Sequence, residues 1–500
     1  MENPAILDPA PNAVTPGERR LVMAGLMLAL TLAALDQNIV ATALPRIVSD
    51  LGGLAHISWV VTAFLVASTT TTPLYGKFSD IYGRKPAFLV SITVFLAGSV
   101  LCGLAQGMTE LIVFRAIQGL GAGGLITLAQ TTIGDIVTPR ERGRYQGLFA
   151  SVFAGCSVAG PLLGGFLTQA LSWRWIFYVN LPVGAVALVL ITVALRKTGR
   201  TRTHRIDYAG AALLIAATSA ALLVLSWGGS VYPWSSPMIL VLAAVTLVLC
   251  AALAVVETRA SEPVLPLHLF GNLVFVLGVA VISFSAMALF AAVVFLPLFF
   301  QLVIGASPTD AGLMIAPMMG GVIVASVVGG RLVSRTGRYK RFPVVGLAAA
   351  TSAYLAMGWA ARHGAPVAWI EAVLVVMGLG IGFVMPNLTT AIQNAVAWRD
   401  LGSATSASAF LRSLGGALGV ALSGAILVAQ LRDAPSVGAD GAQGLDRIAH
   451  LPPAEHAALV GTYAHALSIT FLAGAAIAAC AFAMVLFLPE RPLRGSQGGA

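Results

Sequence analysis

The stretch from residue 21 to residue 44, LVMAGLMLALTLAALDQNIVATAL, decides the fold. Arg19 and Arg20 open it and Pro45 closes it. About 20 helical residues cross the roughly 30 Å hydrocarbon core of a bilayer, so this run reads as a membrane-spanning helix. It imitates a secretory signal, but it is too long for a signal core and has no convincing small-x-small cleavage site. It therefore reads as a retained first helix. One acid, Asp36, sits inside it. A carboxylate in mid-span costs about 2.5–3.5 kcal/mol on insertion scales, so the residue is expected to face a polar cavity and to have a task there.

The rest of the chain follows the same pattern. Of its 500 residues 58% are hydrophobic and 10% charged, with a mean hydropathy of +0.89. Soluble proteins carry about 25% charged residues, so the composition specifies an all-α, polytopic membrane protein without a large soluble domain. Apolar runs recur at 21–44, 57–75, 87–105, 110–133, 145–168, 174–195, 207–227, 237–257, 272–300, 311–332, 343–361, 367–388, 402–430 and 465–488. That makes fourteen candidate helices, and an even count returns both termini to one side. With the N-terminus cytoplasmic, 22 of the 29 Lys and Arg fall in cytoplasmic segments, five lie outside, and Arg115 and Arg412 lie within helices. This asymmetry sets the expected orientation and accounts for most of the net charge of +9, so nucleic acid is not an expected partner. Cys102, Cys156, Cys250 and Cys480 lie far apart in apolar runs, which suits packing and indicates neither a disulfide framework nor a metal site.

An internal repeat divides the chain. Gly76-Lys77-Phe78-Ser79-Asp80-Ile81-Tyr82-Gly83-Arg84-Lys85 follows the second run, and Gly330-Arg331-Leu332-Val333-Ser334-Arg335-Thr336-Gly337-Arg338-Tyr339 follows the tenth. Both carry glycines seven apart followed at once by Arg, each in a turn between helices. Gly119-Leu120-Gly121 and Gly378-Leu379-Gly380 form a second echo in the fourth and twelfth runs. The expected plan is a six-helix lobe over 1–195, a bridge with two extra helices over 196–271, and a second six-helix lobe over 272–500. An extracytoplasmic loop is expected near 431–464. Parallel repeats of this kind build two-lobed secondary transporters with the substrate site near mid-membrane.

Several residues stand out physically. Arg115 is expected roughly 7 Å below the outer boundary and Asp36 roughly 12 Å, close enough in depth to be neighbours. A lone guanidinium there needs partners, and Asp36, Gln118 and helix carbonyls are the candidates. A buried carboxyl favours its neutral form and so can exchange a proton when its surroundings open; the bland alternative is a plain hydrogen bond to a neighbouring helix. In the first repeat, small residues bring two helix ends together, and Asp80 and Arg84, four apart, suit a latch that also involves Gly76, Gly83 and Lys85. Gly160-Pro161 with Gly164 and Gly165 removes a backbone donor and permits close helix packing. Arg412 is a further intramembrane charge, suited either to snorkelling or to the pathway. No glycine-rich run sits at a strand-to-helix turn and no Walker lysine is present, so ATP is not the expected energy source. No cluster suited to nucleophilic or metal chemistry converges, and the chain does not read as an enzyme.

These motifs resemble the major facilitator superfamily, specifically its fourteen-helix drug:proton antiporter branch. The resemblance rests on Leu35-Asp36 through Ala43-Leu44-Pro45, the Gly76 to Lys85 segment, Arg115 to Gly123, Gly160-Pro161 with Gly164-Gly165, Trp173 to Pro182, Ile206 to Gly210, and Leu296-Pro297 to Gln301 with Gly305 and Gly312. It departs from the family pattern at Asn38, Ala41 and Cys156. The resemblance implies a bacterial inner-membrane efflux pump driven by the proton gradient, without a cofactor, with Asp36 as proton carrier and Arg115 modulating it. The Gly160 motif resembles the antiporter motif that favours export. In that architecture helices one, four, nine and twelve line the cavity, where Asn38, Gln118, Ser283, Met287 and Asn387 are candidate lining groups. The deep parts of helices nine to fourteen hold no acid, which favours neutral, anionic or singly charged lipophilic substrates over dications. A functional monomer is expected, with an adaptor only in a Gram-negative envelope. A dedicated exporter of one metabolite or lipid fits the same residues; a transport-dead sensor or scaffold fits them less well, because gate, bend and acid are all retained.

Overall fold

The structure is a computed structural model that describes residues 16–52, 57–195, 207–229, 231–260, 263–264, 267–431 and 453–493. In chain order the helices are α1 (Pro16–Leu51), α2 (Ile57–Tyr82), α3 (Arg84–Leu104), α4 (Met108–Ile136), α5 (Pro139–Ala170), α6 (Trp175–Tyr178), α7 (Asn180–Ala194), α8 (Tyr208–Trp227) and α9 (Pro237–Arg259). They continue as α10 (Leu273–Leu302), α11 (Pro308–Leu313), α12 (Ala316–Thr336), α13 (Arg341–His363), α14 (Val367–Gly382), α15 (Met385–Ala395), α16 (Leu401–Leu431) and α17 (Pro453–Leu486). Among the described residues the β structure is confined to an isolated bridge between Gly228 and Tyr232.

Local chemistry sets the helix ends. Asp207 accepts from the Gly210 N–H at 2.8 Å, Asn272 from Val274 at 3.0 Å and Ser307 from Asp310 at 3.1 Å, each occupying an otherwise orphaned amide at a helix start. Gly83, at φ 91°, joins α2 to α3, and Gly337, at φ 71°, ends α12. These are the second glycines of the two repeat motifs, and a side chain at either would be strained. The repeat is therefore helical rather than a loop: α2 runs through Asp80 to Tyr82, and α12 through Ser334 to Thr336.

Thirteen helical segments among the described residues are long and apolar enough to cross a membrane. The α2 helix is absent from that set although it has 26 residues. Its run of Thr69 to Thr72, with Lys77, Ser79 and Asp80, dilutes the apolar signal that the 57–75 run carries at its start. Three expected spans are interrupted: the sixth at Val179 between α6 and α7, the tenth between α11 and α12, and the twelfth between α14 and α15. Most of the expected 431–464 loop and the 196–206 bridge lie outside the described residues, but 453–464 is helical, the first turns of α17.

Packing follows two halves. One buried cluster draws Leu26, Phe88, Phe95, Leu125 and Ile191 from α1, α3, α4 and α7. Another draws Phe299, Met318, Tyr354, Met377 and Phe471 from α10, α12, α13, α14 and α17. A small cluster joins Leu214 of α8, Val264 and Phe410 of α16, with Leu74 of α2 packed against it, so the extra pair α8–α9 leans on both halves. Close crossings use small residues: a Cβ on Gly164 would meet the Ile39 carbonyl at 2.6 Å, and one on Gly415 the Ser283 carbonyl at 2.6 Å. Where lipid removes the hydrophobic gain from helix pairing, such close backbone approach supplies the dispersion contact.

The halves meet at the end that carries Arg84 and Arg341, called here the basic end. There a Cβ on Gly143 of α5 would lie 2.6 Å from the Gly330 carbonyl of α12, and one on Gly147 would lie 2.8 Å from that of Ser326. Further along the same two helices Gly155 and Gly320 have open space around them. The seam is closed at the basic end.

Candidate functional site

Asp36, two-thirds of the way along α1, is fully enclosed at 0% exposure, and Arg115 of α4 is 2% exposed. Arg115 Nη1 donates to Asp36 Oδ2 at 2.6 Å. The other carboxylate oxygen, Oδ1, accepts from Gln118 Nε2 at 2.8 Å and from Asn180 Nδ2 at 3.1 Å. Gln118 Oε1 in turn accepts from Arg115 Nη1 at 2.7 Å. Ser99 Oγ of α3 accepts from Gln118 at 3.2 Å and Asn180 at 3.0 Å while donating to the Phe177 carbonyl at 2.9 Å. Arg115 Nε donates to the Val60 carbonyl at 3.3 Å, and the guanidinium lies 4.0 Å from the centroid of the Phe64 ring.

Each part has a local reason. Arg115 and Gln118 are three apart on α4, hence on one face. A Cβ on Gly98 would sit 2.5 Å from the Gln118 Cα, so the bare backbone of α3 admits Gln118 to the site. Asn180 is the first residue of α7, placed by the break at Val179. Transferring two ions out of water costs several kcal/mol each, and attraction repays it only when the remaining lone pairs and protons are also satisfied. Here the network from six helices supplies those partners.

The sequence places Asp36, Arg115 and Gln118 at similar depth, and the structure brings all three together. The expected exposure of Asp36 to a cavity is not found: four polar side chains replace water around it. The arrangement can hold one proton at Asp36, at the cost of the Arg115 contact. Asn180 and Ser99 escaped the sequence reading, although a lone amide two residues before Pro182 in an apolar span was a usable signal.

The other candidate lining groups are not gathered at this carboxyl. Asn38 donates to the Ala34 carbonyl at 2.7 Å and lies beside Gly160 at the α1–α5 crossing. Ser283 and Met287 line the α10–α16 crossing under Gly415 and Gly419. Asn387 donates to the Phe383 carbonyl at 2.7 Å and is fully buried. Pro161 lies inside α5; Gly160 and Gly164 pack on α1 while Gly165 meets open space. Arg412 of α16 is half-buried. A crevice of about 290 Å³ with apolar walls lies between α2, α4 and α8, lined by Trp59, Ala63, Leu120 and Ile215 among others.

At the basic end the first repeat forms a network. Asp80 accepts from Gly402 N at 3.1 Å, Ser403 N at 2.8 Å and Ser403 Oγ at 2.9 Å, all on the first turn of α16 in the other half. The orphaned amides and positive end of a helix make a good seat for a carboxylate. Arg84 donates to Asp80 and to Asp135 of α4, both at 2.6 Å. Lys85 bonds the Thr192 carbonyl within its own half. In the second copy Ser334 takes the place of the acid and bonds the Gly330 carbonyl of its own helix. Gln393 to the Gln130 carbonyl, at 3.3 Å, and Arg142 over the Trp398 ring, at 5.4 Å, add contacts across the seam that the repeat does not encode.

Comparison with known proteins adds the following. The sequence model of the Major Facilitator Superfamily matches residues 26–420. The chain is 38% identical over 413 residues to the multidrug transporter protein MdtP of Bacillus subtilis (strain 168), covering 83% of this chain and 76% of that one. It is 36% identical over 407 residues to multidrug resistance protein 3 of the same organism, covering 81% and 79%. In fold it is similar to the crystal structure of the human organic anion transporter MFSD10 (TETRAN), with a TM-score of 0.64 at 16% identity, covering 94% of this chain and 100% of that one.

Proposed function

The chain belongs to the major facilitator superfamily and is a membrane transporter rather than an enzyme, and from that premise we propose that it is a proton-coupled antiporter of the fourteen-span branch that exports hydrophobic small molecules. In this reading α2 is the fourteenth span, the basic end is cytoplasmic by the Lys and Arg asymmetry, and the membrane is a bacterial inner (plasma) membrane. The lobes are 1–195 and 272–500, with α8 and α9 between them; the separate buried clusters of the two halves support this division.

The observation that carries the proposal is the enclosed Asp36–Arg115 pair. An intramembrane acid with a single basic partner holds charge balance in two ways, as an ion pair or as a neutral carboxyl with a freed guanidinium. Protonation of Asp36 removes the attraction that ties α1 to α4, and α1 also packs on α5 through Gly160 and Gly164. In the conformation described here the seam at the basic end is shut, so in this reading Asp36 is reached from the outer side. A proton taken from that side and released after the seam opens inward couples the gradient to export, with no cofactor.

Substrate-driven proton flux in proteoliposomes tests the reading. The wild type is expected to move protons when a lipophilic substrate is added against the gradient, and Asp36→Asn to bind substrate without moving protons. Equal flux from both would remove Asp36 from the mechanism. A resistance panel in an efflux-deficient host separates broad export from export of one compound.

A further inference from the structure

Arg412 is the intramembrane cation that the Asp36 network leaves out. It lies eleven residues into α16, about 16 Å of helical rise from its basic end. Among the described residues no hydrogen bond or ion pair reaches its guanidinium. Two acids at the basic end are committed elsewhere: Asp80 and Asp135 hold Arg84, and Asp80 also caps α16. The side chain does not lie on the apolar outer face, since Leu418 and Leu422, exposed at 40% and 44%, are roughly 100° away around the helix. Arg412 instead shares a face with Thr405 and Gly416, at spacings of seven and four. On that face Thr405 accepts from Gln393 of α15, and Gly416 packs on the Phe290 ring of α10. Gln393 itself reaches across to the Gln130 carbonyl of α4. Arg412 therefore lies on the face of α16 that turns towards α10 and α15.

A second polar group there also lacks a partner. Ser283 Oγ of α10 is buried without a hydrogen bond, and the Ser283 backbone lies against Gly415, one turn along α16 from Arg412. An unpaired guanidinium in the membrane is costly, and a buried hydroxyl without a partner on the adjoining helix adds to the cost. Both are relieved by one ligand type, an oxyanion that takes the planar fork of arginine and a hydroxyl donor.

We propose that Arg412, assisted by Ser283, is the recognition site for the acidic group of lipophilic anionic substrates such as aryl carboxylates or sulfonates. The inference rests on the export reading above and narrows its substrate class. It is tested at equilibrium, with purified protein in uncharged detergent and no gradient, so that loss of proton coupling and loss of anion recognition are read separately. The probes are 8-anilinonaphthalene-1-sulfonate, N-phenyl-1-naphthylamine, which has the same rings without the sulfonate, and ethidium as a lipophilic cation. Wild type is expected to bind the sulfonate at least tenfold more tightly than the amine, the scale of one charge-assisted hydrogen bond. Arg412→Gln should abolish that preference and leave ethidium affinity unchanged or raised. Arg412→Lys, which keeps the charge without the fork, should retain an intermediate preference, and Ser283→Ala should lose a few-fold. Absence of the sulfonate preference in wild type overturns the proposal whatever the variants do. So does Arg412→Gln that binds the sulfonate as wild type does, or loses both charged probes equally.

Discussion

Arg115 Nη1 lies 2.6 Å from Asp36 Oδ2 with both side chains sealed from solvent, so one residue of each sign, 79 positions apart, neutralises the other inside the first half. Breaking such a pair from one side leaves an uncompensated buried charge, which costs about 3–5 kcal/mol. Arg115→Gln and Asp36→Leu are each expected to lower the unfolding midpoint in detergent sharply. The double variant Asp36→Leu/Arg115→Met should recover most of that loss while remaining unable to move protons. Thermal unfolding followed by tryptophan fluorescence, with flux on the same preparations, checks both halves.

Asn180 supplies one of the two amide donors to Asp36 Oδ1 and is fully buried. Asn180→Ala is expected to cost about 1–2 kcal/mol of stability, the range for leaving a buried acceptor short of a donor. Proton flux should fall, because the carboxylate loses one of the donors that hold it in place. Wild-type flux in Asn180→Ala would separate Asn180 from the proton site.

The Asp80 carboxylate is the tie between the halves that the repeat motif supplies. Asp80→Asn keeps the shape but loses the charge that the three Gly402 and Ser403 donors and Arg84 address. Charge-assisted hydrogen bonds contribute about 1.5–3 kcal/mol, so the closed seam should weaken by roughly one order of magnitude or more. Labelling of a cysteine placed at Thr405 from the basic side, in a background without Cys102, Cys156, Cys250 and Cys480, should rise accordingly. Unchanged labelling would show that Asp80 does not hold the seam.

The Gly143–Gly330 crossing has no room for a side chain, and relief there requires the two helix backbones to move apart. Gly330→Val should prop the basic end open and reduce transport at least tenfold, while Gly155→Ala and Gly320→Ala, which face open space, should be tolerated. Transport assays at matched protein levels test the contrast.

The repeat motif shows how far a single sequence carries. Its glycines, Asp80 and Arg84 were legible as a latch because their spacing is local. The partner of Asp80 was not, because Gly402 and Ser403 carry no signal of their own; they matter as the exposed amides of a helix start that happens to arrive there. Helix α2 is legible as a span in the apolar run to Tyr75, but its last two turns, 76–82, are not, since helix propensity at a membrane edge leaves no hydropathy signature. The interruptions at Val179 and Phe383 were hidden within continuous apolar runs, and one of them sets the position of Asn180.

The sequence by itself determined that the protein is a bundle of lipid-crossing helices in two related halves, with one acid and one base at matched depth in the first. Apolar length, glycine spacing and charge count are properties of short segments, and they suffice for that. Only the tertiary structure decided that Asp36 is enclosed rather than open to a cavity, that Asn180 and Ser99 complete its shell, and that Arg412 is left without a partner among the described residues. Those outcomes depend on which faces of distant helices meet, and a face is fixed by packing against residues 80 to 320 positions away rather than by anything in its own neighbourhood.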